Sequence, residues 1–174
     1  METSNFEILK EQWPDLAELG RFAEQYVYSD PGSSVTKMRI FVECLVKDLY
    51  RSFRLGYEPN PRLVELIEAE EFRAIIPQSI ILKLDAIRVH GNKSAHGSSA
   101  SPENARMLLR ELYKIACWLK VSNKLVKSDE VPDYIEPLQP TQKSLDTSAE
   151  LKKQLVTQEL QLSELIEKVK IEKE

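Results

Sequence analysis

One stretch of this sequence gathers residue types that can move protons and hold anions: Arg88-Val89-His90-Gly91-Asn92-Lys93-Ser94-Ala95-His96. Arg88, Asn92 and His96 follow one another at intervals of four, so a continuous helix stacks all three on one face. An imidazole and a guanidinium on one face suit RNA cleavage. The histidine would handle the proton while the arginine steadies phosphate charge. The competing reading is a buried polar lattice. In it, Asn92 and His96 bond backbone groups at a helix end, and Arg88 pairs with an acid from another helix. Spacing alone favours the lattice, because polar triads more often hold structure than react.

A second group is basic. Lys37, Lys47, Arg51 and Arg54 fall partly off the apolar face of their helix. Lys47, Arg51 and Arg54, with Arg88 and Lys93, make up the candidate nucleic-acid-binding set. Such a run is more often a solvated face paired with acids, and the segment Glu2–Asp30 is rich in them. The net charge of -4 provides no global pull toward nucleic acid. Trp13 and Trp118 sit in helical apolar patterns and read as core rather than as stacking platforms.

Other chemistries find little support. Two histidines and two cysteines are too few for most zinc sites, and Cys44 and Cys117 read as buried thiols inside apolar helices. No G-x-x-x-x-G-K-[ST] run exists, and five glycines in 174 residues argue against a Rossmann or P-loop nucleotide site. Pro132-Asp133 followed by Glu150-Leu151-Lys152 has the letters of a PD-ExK nuclease. That chemistry needs its carboxylates converging on a metal from adjacent strands, whereas these lie in a proline-rich stretch and an amphipathic helix. The length excludes a full helicase, kinase, polymerase or TIM barrel and suits one domain with an appendage. No secretory leader or apolar run of membrane length is visible, so the expectation is a soluble, reduced, cytoplasmic chain with no membrane partner.

The elements that must position these residues are all helical. Ser4 with Glu7 has the spacing of a capping box. Pro14 opens a helix to about Tyr28, with Leu16, Leu19, Ala23, Tyr26 and Val27 inward. Asp30-Pro31 stops it and starts the next, to about Phe53. There Val35, Met38, Val42, Leu45 and Leu49 recur at three and four, Ile40, Phe41 and Cys44 widen the apolar face, and Gly56 is the expected C-cap. A short helix with Leu63, Leu66 and Ile67 follows, then a turn near Phe72. Pro77 opens the helix that carries Ile80, Ile81, Leu84 and Ile87 into the Arg88–His96 stretch. Ser101-Pro102 restarts the chain for a last long stripe, Ala105 to Leu119.

The expected architecture is an all-α helical bundle over residues 4–122, a proline-containing linker over 123–147, and an amphipathic coiled-coil helix over 148–174. In that last helix Leu155, Leu162 and Val169 recur at seven, with Leu151 and Leu165 between them and Gln158 at the remaining site. These five apolar residues are the candidate partner-helix face. The pattern is still running at Glu174, which reads as the truncated edge of a longer protein.

Several ordered motifs resemble one family. They are Asn5-Phe6-Glu7-Ile8-Leu9 with Trp13-Pro14 and Leu16, then Ala23-Glu24-Gln25-Tyr26-Val27-Tyr28-Ser29-Asp30-Pro31. Lys37-Met38-Arg39 with Glu43 follows, and then Arg88-x-x-Gly91-Asn92-x-x-Ala95-His96. Over roughly Ser4 to Val121 the chain resembles the helical domain at the N-terminus of type I restriction-modification R subunits. In that family a coiled-coil connector often precedes a nuclease domain and a superfamily 2 helicase. The resemblance implies an accessory or assembly domain of a parent that translocates and cuts DNA in defence against foreign DNA. No cofactor is implied within these residues; ATP and Mg2+ are implied for the parent. The implied partners are a second copy or other subunits of a restriction-modification complex, with DNA reached through that complex.

The family is in turn similar to HEPN bundles, many of them metal-independent ribonucleases with an Arg-Asn-x-x-x-His signature. Asn92 and His96 match, but Gly91 stands at the arginine position and Arg88 lies a turn earlier. No residue is assigned a catalytic role on the assembly reading; Arg88, Asn92 and His96 are the set on the alternative, stand-alone ribonuclease reading. A third reading is a nucleic-acid-binding module without catalysis.

Overall fold

The computed structural model describes residues 4–95, 100–139, 153 and 156–158, with the backbone alone for 93–95. Among them the chain is all-α: six α-helices, two short 3-10 helices and no strand. The α-helices are α1 (Pro14–Tyr26), α2 (Pro31–Phe53), α3 (Leu63–Glu68), α4 (Glu70–Ile75), α5 (Gln78–Ala95) and α6 (Pro102–Ser122). A 3-10 helix, Asn5–Leu9, precedes α1, and another, Ser128–Glu130, follows α6. One compact unit runs to Pro137 and a second begins at Leu138. In the second, residues 153 and 156–158 are helical.

Local chemistry sets the starts of these helices. Pro14, Pro31 and Pro102 occupy first-turn positions, where the missing N–H costs nothing. Asp30 accepts from Ser33 N at 3.0 Å and Ser101 from Asn104 N at 3.2 Å, each satisfying a donor the helix leaves free. Ser4 caps the N-terminal turn by accepting from Phe6 N. Glu7 does not close a capping box; it pairs with Lys10 instead.

The helix α2 lies at the centre, packed against α1, α5 and α6. Val35, Met38, Val42, Leu45 and Leu49 are buried as the period requires, together with Phe41 and Val46. Ile40 is the exception: at 36% exposed it lies outside the apolar stripe it was expected to widen. The expected C-cap moves as well. Arg54, not Gly56, takes the left-handed conformation (φ 56°, ψ 36°) that ends α2, and Leu55 N then bonds Tyr50 O at 2.9 Å.

Phe6 anchors the N-terminal turn. Its ring is fully buried, edge-on to Phe41 at 6.0 Å and to Tyr113 at 6.1 Å. It also covers Gly20: a Cβ there would lie 2.2 Å from Phe6 Cγ. Tyr50 stacks on Phe72 at 5.2 Å and donates to Leu66 O at 2.8 Å, tying α3 and α4 to α2. Ser34 is buried and donates to Ala23 O at 2.7 Å, which satisfies the only hydroxyl the α1–α2 seam takes in among the described residues.

The chain after α6 does not leave the bundle at once. Although no apolar period runs through it, Pro132–Pro137 is bonded along the surface by side-chain-to-backbone contacts. Asn5 donates to Ile135 O at 2.7 Å and accepts from Ile135 N at 2.8 Å. Tyr113 donates to Pro132 O at 2.6 Å and Tyr28 to Pro137 O at 3.0 Å. Glu136 pairs with Arg106 at 2.7 Å and Arg110 at 2.5 Å. The result is a strap across the 3-10 turn and α6. The compact unit therefore reaches Pro137, past the limit at 122 that helical periodicity marks.

Candidate functional site

The Arg88–Asn92 face is carried by α5, whose helix is continuous through these residues, so Arg88 and Asn92 fall on one face as the spacing requires. Arg88 is mostly buried, and its guanidinium bonds Asp85 at 2.7 and 2.8 Å. The partner is thus on the same helix, one turn back, and not on a neighbouring one. Asn92 is half-buried, and no side-chain hydrogen bond of it occurs among the described residues. His96 lies outside the described residues, as does the side chain of Lys93.

Between Arg88 and Asn92 sits Gly91, buried where α5 crosses α2. A Cβ at this position would lie 2.6 Å from Arg39 Cβ and 2.7 Å from Arg39 Cδ. The two helices meet here through glycine on one side and the stem of Arg39 on the other. Residue 39 carries a cation to the Arg88–Asn92 stretch from a different element. Spacing along a single helix holds no trace of this. The sequence signal that does exist is the lone glycine inside a helical pattern, which marks a close approach.

The basic residues of α2 do not converge. Lys47 pairs with Glu43 at 2.8 Å and Arg51 with Asp48, both within the helix. The acidic first helix is not their partner. Hydrogen bonding to Glu43 pushes the Lys47 ammonium up from its usual range. Arg54 takes the left-handed backbone conformation that ends α2, and its exposed side chain makes no ion pair among the described residues. Lys37 alone turns to α1, its ammonium 5.6 Å from the Phe22 ring centre. Leu151, Leu155, Leu162, Leu165 and Val169 all lie outside the described residues.

Trp13 and Trp118 are partly buried against the core and share a cavity of about 530 Å³ with Leu45, Leu49, Phe53 and Ile76. Its polar rim includes Asp48, Ser52 and Asn123. Cys44 and Cys117 are free and half-buried, and burial raises both thiols above the usual range, which keeps them protonated and unreactive. Among the described residues no group of three His, Cys, Asp or Glu side chains is placed to hold a metal. No described helix is long and apolar enough to cross a membrane.

The carboxylates that tie elements together are tuned in opposite senses. Burial pushes Glu24 up, against the pull of hydrogen bonds from Ser4 and from the Asn5 side chain and backbone. Burial also acts on Glu136 and Glu111, but two cations on each outweigh it and hold both below the ordinary value. The cations are Arg106 and Arg110 on Glu136, and Lys114 and Lys83 on Glu111.

Compared with known proteins, the chain is similar to an endonuclease subunit of a type I restriction enzyme. The relative is the type I restriction enzyme EcoKI endonuclease subunit of Escherichia coli (strain K12), 28% identical over 140 residues. The aligned stretch is 79% of this chain and 12% of the relative, so the chain spans about an eighth of that subunit's length. No protein-family model matches the chain. No solved structure matches it.

Proposed function

We propose that this chain is an accessory and assembly domain of a type I restriction endonuclease subunit, built as a HEPN-like bundle. The observation that carries the reading is the 28% identity over 140 residues to such a subunit, which extends across most of the bundle. Two features agree with it. The aligned stretch is 12% of that subunit, so ATP-driven translocation and Mg2+-dependent cleavage are assigned to other parts of the parent. Lys47 and Arg51 of α2 pair with acids on their own helix, which suits a domain that meets DNA through its complex rather than by that face.

The domain's own task is then to hold subunits together, through a second copy or through other members of the complex. The test is a strain that carries the whole restriction system. Replacing the region equivalent to residues 4–137 with an unrelated helical bundle should lower restriction of incoming phage DNA. The ATPase of the separately purified parent should remain. Undiminished restriction with the replaced region would remove the assembly role.

A further inference from the structure

At the α2–α5 crossing Arg39 has no ion pair among the described residues. The stem of Arg39 fills the space beside Gly91, with Cβ, Cδ and Cγ at 2.6, 2.7 and 3.0 Å from where a Cβ would be. A side chain at 91 would displace it, so the glycine is what lets the arginine lie along α5. The polar end of Arg39 is not accounted for. Its Nε is buried and has no hydrogen-bond partner. Every acid on the two crossing helices is already engaged: Glu43 by Lys47, Asp48 by Arg51 and Asp85 by Arg88. Asp30, at the head of α2, caps Ser33. A buried guanidinium N–H without a partner costs free energy that an anion from outside would return.

We propose that Arg39, seated on Gly91, is the cationic arm of an oxyanion site at this crossing, with Asn92, the neighbour of Gly91 in the chain, as a second donor and a phosphate group as ligand. A guanidinium presents a planar fork of donors that matches two oxygens of a carboxylate or a phosphate. A carboxylate spends both its oxygens on that fork. A phosphate keeps others for the amide of Asn92, which has no side-chain hydrogen bond among the described residues. Two sources supply such a phosphate, a free inorganic ion and the diester of a nucleic-acid strand. The proposal stands apart from the assembly role and survives or fails without it.

The test uses the whole chain labelled with nitrogen-15 and follows the arginine Nε–H resonances. Arg39 is assigned as the resonance missing from Arg39→Lys. Inorganic phosphate and a short single-stranded oligonucleotide are titrated separately, against chloride at matched ionic strength. The Arg39 resonance should shift saturably with phosphate, with the oligonucleotide, or with both. A response to inorganic phosphate alone names the free ion as ligand, and a response to the oligonucleotide names the diester. Arg39→Gln, which keeps most of the stem but loses the charge and the fork, should weaken binding by at least about tenfold, read from the Asn92 side-chain amide resonances. Helical circular dichroism of that variant reports whether the bundle persists. If neither titrant moves the Arg39 resonance, or chloride moves it equally, the site does not exist.

Discussion

Glu24 shows how one side chain can work against the fold it helps to tie. Its carboxylate joins the N-terminal turn to α1 through Ser4 and Asn5, yet burial raises it above the ordinary value. A folded-state pKa above the unfolded one means its contribution is full below the unfolded value and is lost as pH rises through the folded value. Glu136 and Glu111 are lowered, so theirs is present above the unfolded value and lost as pH falls through the folded one. Glu24→Gln should therefore gain stability relative to wild type as pH is raised from 4 to 7, seen as a rising difference in urea midpoints. Glu136→Gln should show the reverse trend over the acid side of that range. Lys47→Ala belongs here too. It breaks an exposed pair one turn long and should cost no more than about 0.5 kcal/mol in chemical denaturation. Of the candidate site, Arg88 and Asn92 sharing a helical face was legible from spacing. The partner of Arg88 and the presence of Arg39 were not, because spacing along one helix says nothing of what a crossing helix delivers.

At the scale of elements, two glycines mark places where backbones and stems come too close for any side chain. Gly91→Ala would set a methyl on Arg39 Cβ, an atom at the root of its side chain that cannot swing away. Gly20→Ala would set one in the Phe6 ring. Each should cost about 1–3 kcal/mol by overpacking, read from thermal or urea unfolding. The helices themselves were readable in advance. Proline at first-turn positions, Ser and Asp caps and the three-four apolar rhythm placed α1, α2, α5 and α6 within a residue or two. The strap was not readable, since Pro132–Pro137 is held by side chains that bond its backbone, and such contacts leave no period in the sequence. Asn5→Ala removes two of them at once and also a bond to Glu24. It should loosen the strap by about 1–2 kcal/mol. The check is faster amide exchange confined to residues 131–137, with α6 unchanged.

Across the whole molecule, the buried stripes of α1, α2, α5 and α6 close one core, and the residues with chemical potential lie at its seams rather than in an open cleft. On α2 and α5 every acid pairs within its own helix: Glu43 with Lys47, Asp48 with Arg51, Asp85 with Arg88. The pattern also explains why the basic run in α2 misled in one respect: it looked like a face for an external or inter-helical partner, but Lys47 and Arg51 each found an acid a turn away. The measurement that tests the proposed assembly role most directly is sedimentation of the purified chain, alone and mixed with the other subunits of the restriction system proposed for it. The expected result is a species heavier than the monomer in at least one of these samples. A monomer at every concentration, with no shift on adding those subunits, would contradict it.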